Sequence, residues 1–307
     1  MDFMRLKGFN FAAASSRYQR LKQVPLEAEP SESRSMQLAG AAWSWVGATV
    51  EESAAVYRAL GVDAIDVIAI PGSRFDTYDI AANPLLHACR VSKLGVGLSN
   101  LLMFFGTSFH DRPVNSANQT IRGQNLDTFR RILEFCVAAG FYSVTVLPGV
   151  DQPPTSRTDG LKYAAAELSR LNEFAAEAGV LLVYEPHVQS ILEDPRDVLR
   201  FAREDCNVKL VIDYSHAVSL GYSRSDLDPL VEYVGHVHLR QAAPAKIQAR
   251  WDDGTIDFPA LLGLLKSRGY SGYLTLEYEH DKYWVMDQCD VMTETIKMRD
   301  EVLPYLC

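Results

Sequence analysis

Four side chains of types that bind divalent metal ions stand where short, largely apolar runs end in the second half of the 307-residue chain. They are Glu185, Asp213, His238 and Glu277. Three carboxylates and one imidazole form a set of hard oxygen donors and one nitrogen donor, which suits Mn²⁺, Mg²⁺, Co²⁺ or Zn²⁺. One acidic residue of this kind is more often a helix cap, but four in succession are hard to explain that way. The pattern predicts one bound divalent cation, preferably Mn²⁺, with open positions for a substrate.

Short apolar runs alternate with longer amphipathic segments from residue 36 onward, which indicates strands joined by crossover helices around a parallel sheet. We predict eight strands, at residues 36–42, 64–69, 93–98, 142–147, 180–185, 208–213, 234–238 and 273–277. The clearest helices are predicted at residues 49–60, 128–139, 161–178, 195–204 and 258–268. Four of these helices are followed by a glycine that suits a left-handed helix end: Gly61, Gly140, Gly179 and Gly269.

Eight such units predict an α/β fold, a closed (β/α)8 TIM barrel that forms a single catalytic domain over residues 36–307. No G-x-G-x-x-G motif follows the first strand, which removes the simplest dinucleotide-binding interpretation. Residues 1–35 are interpreted as an N-terminal extension and linker. The extension carries several aromatic residues, so we expect it to cover the barrel or join a subunit contact without supplying metal ligands.

The composition argues against several classes of function. A formal net charge of −9 repels a phosphate backbone, so no nucleic-acid partner is expected. No run reaches the roughly 18 consecutive apolar residues that a membrane span needs. The five cysteines are widely spaced and include no C-x-x-C pair, which fits a reducing cytoplasm. We therefore expect a cytoplasmic protein that forms a homo-oligomer and contacts neither nucleic acid nor membrane.

The predicted barrel gives the four metal ligands a common location. The C-terminal strand ends of such a barrel meet at one mouth, where the ligands would face one another. The cation would act as a Lewis acid on a substrate carbonyl, and the glutamates at the ends of strands 5 and 8, Glu185 and Glu277, would serve as the acid/base pair. An enediolate then forms. Return of the proton to the opposite face gives epimerisation, and return at the next carbon gives isomerisation.

These residues also resemble a known family, the xylose isomerase-like barrels that include sugar phosphate isomerases and epimerases. The resemblance covers residues 35–284 and is strongest from residue 179 onward. It rests on E-P-H at 185–187, D-x-x-H at 213–216, G-H-x-H at 235–238, G-T-I-D-F at 254–258 and G-Y-x-G-Y-L-T-L-E at 269–277. In the ketose 3-epimerase branch, the resemblance implies a metal held by the same four residues. It also implies that the D-x-x-H histidine, His216, contacts the substrate.

The chain departs from the epimerase pattern beyond strands 5 and 7. The epimerases carry the motif H-x-x-E-x-x-R after strand 7. In this chain Gln241 and Pro244 stand at the positions of its Glu and Arg, and Ile191 stands at the position of another epimerase glutamate, beyond strand 5. A sugar isomerase or epimerase acting on a ketose or keto-sugar, with or without phosphate, is the preferred prediction. A lyase or dehydratase acting on a keto-sugar, inosose or glycoside is the alternative. An apurinic endonuclease-like nuclease and a non-catalytic sugar-binding barrel are remote alternatives.

Further residues near the predicted mouth have two interpretations each. His187 could contact substrate or orient Glu185. Arg240 lies in the loop after strand 7, where barrels often bind phosphate or carboxylate, but a solvated loop is equally compatible. Trp43 could stack on a sugar ring or pack in the core. His236 is expected to pack behind the barrel, away from His238.

Overall fold

Eight short parallel strands close into a barrel in the computed structural model, which describes residues 35–280 and 286–306. Each strand pairs with the next one along the chain, and the last pairs with the first. The strands are β1 (Gln37–Ala41), β2 (Ala64–Ala69), β3 (Gly97–Met103), β4 (Ser143–Val146), β5 (Leu181–Tyr184), β6 (Lys209–Ile212), β7 (Val234–Leu239) and β8 (Tyr273–Leu276). The predicted (β/α)8 barrel is confirmed.

Helices connect the strands and include all five that the sequence pattern predicts. They are α1 (Val50–Ala59), α2 (Thr77–Ala82), α3 (Pro84–Val91), α4 (Gln119–Ala139), α5 (Arg157–Ala178), α6 (Pro195–Glu204), α7 (Tyr214–Ser219), α8 (Arg224–Leu227), α9 (Phe258–Ser267) and α10 (Val291–Val302). Helix α4 begins earlier than predicted because Asn118 caps it by accepting a hydrogen bond from the Thr120 amide. The four glycines predicted to follow helices all have positive φ angles, between 71° and 87°.

The third strand was predicted wrongly, at residues 93–98 instead of Gly97–Met103. Polar Ser99 and Asn100 lie in the middle of the real strand, and both side chains are buried. Ser99 donates a hydrogen bond to Asp66, and Asn100 accepts hydrogen bonds from two hydroxyls of β4. Polar groups inside the barrel therefore interrupt the apolar run by which the other strands are recognised.

The glycine that ends α4 offers a test of this local structure. Gly140 has a φ of 87°, a conformation that costs a non-glycine residue about 1–2 kcal/mol. Gly123 lies inside the same helix, where alanine is better than glycine by about 0.5–1 kcal/mol. An added Cβ would have room at both positions. We expect Gly140→Ala to lower and Gly123→Ala to raise the free energy of unfolding by these amounts, measured by denaturant titration. A stabilising Gly140→Ala would contradict the helix end.

Three further predictions concern the N-terminal extension, membrane-spanning helices and the cysteines. Residues 1–34 lie outside the described residues, so the role of the extension stays a prediction. None of the helices within residues 35–280 and 286–306 is long and apolar enough to cross a membrane. The cysteines at positions 89, 136, 206 and 289 are free.

Candidate active site

The structure brings the four predicted metal ligands together at the C-terminal end of the barrel. Glu185, Asp213 and Glu277 directly follow β5, β6 and β8, while His238 lies near the end of β7. Donor atoms of Glu185, Asp213 and His238 all lie within 4.8 Å of one another. Glu277 Oε2 is 3.3 Å from His238 Nδ1, and none of the four side chains is more than 7% exposed.

Two carboxylates converge on one ring nitrogen of His238. Its Nδ1 lies 3.2 Å from Glu185 Oε1 and 3.3 Å from Glu277 Oε2. Because Nδ1 carries at most one proton, it serves only one of the two oxygens at a time. Glu277 Oε2 is buried and has no hydrogen-bond partner in the described part of the chain. A divalent cation among these atoms would neutralise the carboxylates and satisfy the orphaned oxygen, so the donor set fits such an ion.

His236 does not pack behind the barrel, and that prediction is wrong. Residues two apart on a strand point to the same face, so His236 and His238 both project into the interior. Both rings direct Nε2 at Oδ2 of Asp66, with distances of 2.7 Å for His236 and 3.2 Å for His238. Asp66 is fully buried in β2. The sequence pattern does not single out Asp66, because this residue lies inside an apolar strand rather than at the end of one.

The charges of the site shift the pKa values of its groups. Burial raises the pKa of Glu185, but the imidazoles of His238 and His216 outweigh burial and hold this pKa well below its ordinary value. Burial also raises the pKa of Asp213, but the neighbouring guanidinium of Arg240 outweighs burial and holds this pKa below its ordinary value. Burial lowers the pKa of His238, whereas Glu277 and Glu185 raise it well above the ordinary value. The carboxylates of Glu185 and Asp213 are therefore ionised at neutral pH, which is the form that binds a cation.

Arg240, a predicted substrate-binding residue, is 3% exposed and paired with the acidic groups of the site. Its Nη2 lies 3.0 Å from Asp213 Oδ2, and its Nη1 lies 2.5 Å from Glu279 Oε1. Its Nε donates a hydrogen bond to Ser215 Oγ at 3.0 Å. These contacts fix the guanidinium and the Asp213 carboxylate in place. Arg240 also lines a cavity beside the site, and its contact with substrate stays a prediction.

The imidazoles of His216 and His187 are in contact beside the ligands, with their ring planes tilted by 43°. Nε2 of His216 is 3.3 Å from Asp213 Oδ2 and 3.7 Å from Glu185 Oε1. The ring centroids of His216 and His187 are 4.1 Å apart, and His187 Nδ1 is 2.6 Å from the Val188 carbonyl oxygen. Burial and the neighbouring His216 lower the pKa of His187 to about 3, so its ring is neutral at neutral pH. A neutral ring can hydrogen-bond a sugar hydroxyl without adding charge to the site.

A cavity of about 610 Å³ opens beside these groups. One part of its lining is largely aromatic and aliphatic, including Trp43, Phe104 and Phe109. The polar part consists mainly of Glu185, His187, His216, Arg240, Glu277 and Glu279. Cavities of about 300–1,000 Å³ bind small organic molecules. The ring centroid of Trp43 is 6.0 Å from that of His238, whereas Trp45 packs against a core tyrosine. Trp43 therefore lies where it could contact a substrate, which stays a prediction.

The residues that replace two epimerase glutamates are structural in this chain. Gln241 forms two hydrogen bonds with the backbone of Ile256, at 2.9 and 3.0 Å. Ile191 is fully buried in the hydrophobic core. Neither residue lines the cavity. Substrate contacts must therefore come from other side chains than these two positions.

A family model for the xylose isomerase-like TIM barrel matches residues 54–300. The match includes every strand except β1 and all four predicted ligands. The chain belongs to this family. The resemblance inferred from the sequence motifs is thereby confirmed.

The chain is also similar to curated proteins and to solved structures. Inosose dehydratase from Clostridium perfringens is 30% identical over 144 residues, which cover 39% of this chain and 48% of the relative. The chain thus matches about half the length of this curated relative. An apo structure of 3-keto-D-glucoside 4-epimerase from E. coli superposes with a TM-score of 0.65 at 17% identity, covering 88% of this chain and 99% of that one.

A structure of the IOLI protein with a bound zinc atom superposes with a TM-score of 0.63 at 17% identity, and it covers 88% of this chain and 98% of that one. At such identities, both structural matches demonstrate a shared fold and nothing finer. The names of the curated relative and of the epimerase refer to an inosose and to a 3-keto-D-glucoside.

Proposed function

We propose that the protein is a metal-dependent enzyme that removes a proton from the carbon next to the carbonyl of a small carbohydrate and forms an enediolate. The observation that carries this proposal is the convergence of Glu185 and Glu277 on one nitrogen of His238 beside the cavity. Two ionisable carboxylates at one reacting centre are what proton removal and return require. A sugar isomerase or epimerase acting on a ketose or keto-sugar, with or without phosphate, is the activity that this arrangement supports best.

Glu185, Asp213, His238 and Glu277 would hold one divalent cation, for which Mn²⁺ is our preferred candidate. When bound, the cation supplies a Lewis acid that polarises the substrate carbonyl and makes the neighbouring C–H more acidic. The zinc in the IOLI structure is a property of that protein, but it shows that a barrel of this fold can bind a metal ion. The orphaned Oε2 of Glu277 supports the same assignment from this chain.

Glu185 and Glu277 are proposed as the proton-transferring pair. Their strands are separated by β6 and β7 in the barrel wall, so the two carboxylates approach the site from different directions. One carboxylate oxygen would take the proton, and the other would return a proton from the opposite face. Asp213 and His238 act as ligands in this scheme, while His216, His187, Arg240 and Trp43 hold substrate groups.

Dehydration is the second candidate, because inosose dehydratase is the activity named for the curated relatives. The same enediolate would expel a hydroxyl or other β-substituent instead of regaining a proton. The departure from the epimerase pattern at Gln241 and Ile191 also favours this outcome. Both candidates share the ligand set and the first proton transfer.

Proton NMR of reaction mixtures separates the two candidates. The metal-loaded protein is incubated with a panel of ketoses, keto-sugars and inososes, and the products are identified. An isomerase or epimerase yields a rearranged substrate of unchanged composition. A dehydratase or lyase yields a product that has lost water or an aglycone. If no member of the panel is converted by protein with confirmed metal content, the proposal is wrong for these substrate classes.

A further inference from the structure

Asp66 lies beneath the proposed metal site and receives three hydrogen bonds inside the barrel. Its Oδ2 lies 2.7 Å from His236 Nε2 and 3.2 Å from His238 Nε2. Its Oδ1 accepts a hydrogen bond from Ser99 Oγ at 2.5 Å. Asp66, Ser99 and His236 are each 0% exposed. The interior of such barrels is usually filled by branched apolar side chains, so a buried carboxylate at this depth calls for a role.

Irregular strand pairing places these groups at one level of the barrel. The register between β2 and β3 shifts directly before Asp66, so that Ser99 is the additional residue of β3. The register between β6 and β7 shifts in the same way directly before His236. Such bulges re-aim side chains and are frequent beside active sites. Asp66 of β2 thereby reaches across the interior to two histidines of β7, which is not a neighbouring strand.

We propose that Asp66 is a positioning residue of the metal site, which accepts the Nε2 proton of His238 and thereby keeps Nδ1 of that ring unprotonated and directed at the cation. This inference rests on the ligand set proposed above. A neutral imidazole carries one proton, and the hydrogen bond made by one nitrogen decides which nitrogen remains for a metal. In His238 the nitrogen between the two glutamates is Nδ1, so the proton belongs on Nε2.

The other two partners of Asp66 fix the direction of its carboxylate. Ser99 holds one oxygen, and His236 shares the other oxygen with His238. His236 Nε2 also lies 3.1 Å from the Thr275 hydroxyl, which limits rotation of the ring. A carboxylate held in this way aims its second oxygen at His238 and increases the basicity of that ring. Loss of such a carboxylate partner typically weakens metal binding by about 10–100-fold.

The test compares Zn²⁺ binding by the full-length wild type, Asp66→Asn and the matched control Glu167→Gln. Asparagine keeps the size of the side chain but not its charge, and Glu167→Gln makes the same exchange at a buried carboxylate that pairs with Arg122 away from the site. We expect the Zn²⁺ dissociation constant of Asp66→Asn to rise by about 10–100-fold. That of Glu167→Gln should stay near the wild-type value. Asp66→Ala, which removes the acceptor completely, should bind at least as weakly as Asp66→Asn.

A second readout separates positioning from stability. ¹⁵N NMR of Zn²⁺-loaded protein labelled in its seven histidines reports which nitrogen of His238 carries the proton. We expect Nε2–H in the wild type and in Glu167→Gln, and an altered His238 signal in Asp66→Asn. Zn²⁺ affinity and His238 signals unchanged in both Asp66 variants would overturn the inference and leave the metal site standing. A wild type that binds no Zn²⁺ would overturn the ligand set itself.

Discussion

Replacing Glu277 by glutamine is expected to slow proton removal from the substrate by about 100-fold or more, and replacing Glu185 is expected to have an effect of the same order. Glutamine keeps the size of the side chain and one ligand oxygen but cannot take up the proton. The Oε2 atom of Glu277 has no hydrogen-bond partner in the part of the chain that the structure describes. The substitution therefore breaks no internal hydrogen bond at that atom, and we expect the variant to fold.

The rate of deuterium uptake by the substrate measures this effect, with metal content determined on the same samples. Glu167→Gln is the matched control, because Glu167 is also buried but pairs with Arg122 and does not line the cavity. It should retain the wild-type rate. A fully active Glu277→Gln that still binds its cation would show that the carboxylate pair does not transfer the proton.

The second large effect concerns the nitrogen ligand. His238→Ala removes the group on which Glu185 and Glu277 converge, and we expect bound metal to fall from about one ion per chain to nearly none, with activity falling in parallel. Elemental analysis of protein purified without chelator measures the metal. His87→Ala serves as the control, because it removes an imidazole that pairs with Asp79 on the outer helices. Metal content that is unchanged in His238→Ala would place the ion elsewhere.

The fold could be predicted from the sequence because its signals are local. Each βα unit repeats an apolar run, an amphipathic segment and often a glycine whose positive φ ends the helix, as at Gly140 and Gly179. The exception is β3, where Ser99 and Asn100 interrupt the apolar run. These polar residues are compatible with a strand only because partners from other strands satisfy them inside the barrel, and such partners are not visible in a local pattern.

The candidate ligands could be found because they stand at strand ends, where a barrel collects side chains from distant parts of the chain. Asp66 could not be found in this way, because a position inside a strand indicates a core residue. Its two histidine partners lie about 170 residues away in sequence. The prediction for His236 was wrong, although the period of two along a strand places His236 on the same face as His238. Glu279, which contacts Arg240, was also missed, because it lies beyond the end of β8, where the period of two no longer applies.

The contacts of Arg240 show a different limit of sequence patterns. A basic residue after β7 was interpreted as a group for substrate phosphate or carboxylate, yet its guanidinium is held by Asp213, Glu279 and Ser215. Charge pairing between loops depends on distances that only the folded chain fixes. The sequence therefore predicts which chemistry is present at the mouth, while the structure shows which groups are already engaged with one another.

Deuterium incorporation from D2O at the carbon next to the substrate carbonyl tests the central claim most directly, because both candidate activities begin with removal of that proton. The metal-loaded protein is incubated with ketoses, keto-sugars and inososes, and exchange is followed by NMR beside a sample stripped of metal. We expect deuterium at that carbon in at least one substrate or its product, and no exchange in the stripped sample. No incorporation across the panel by protein that carries about one metal ion per chain would contradict the proposed enediolate chemistry.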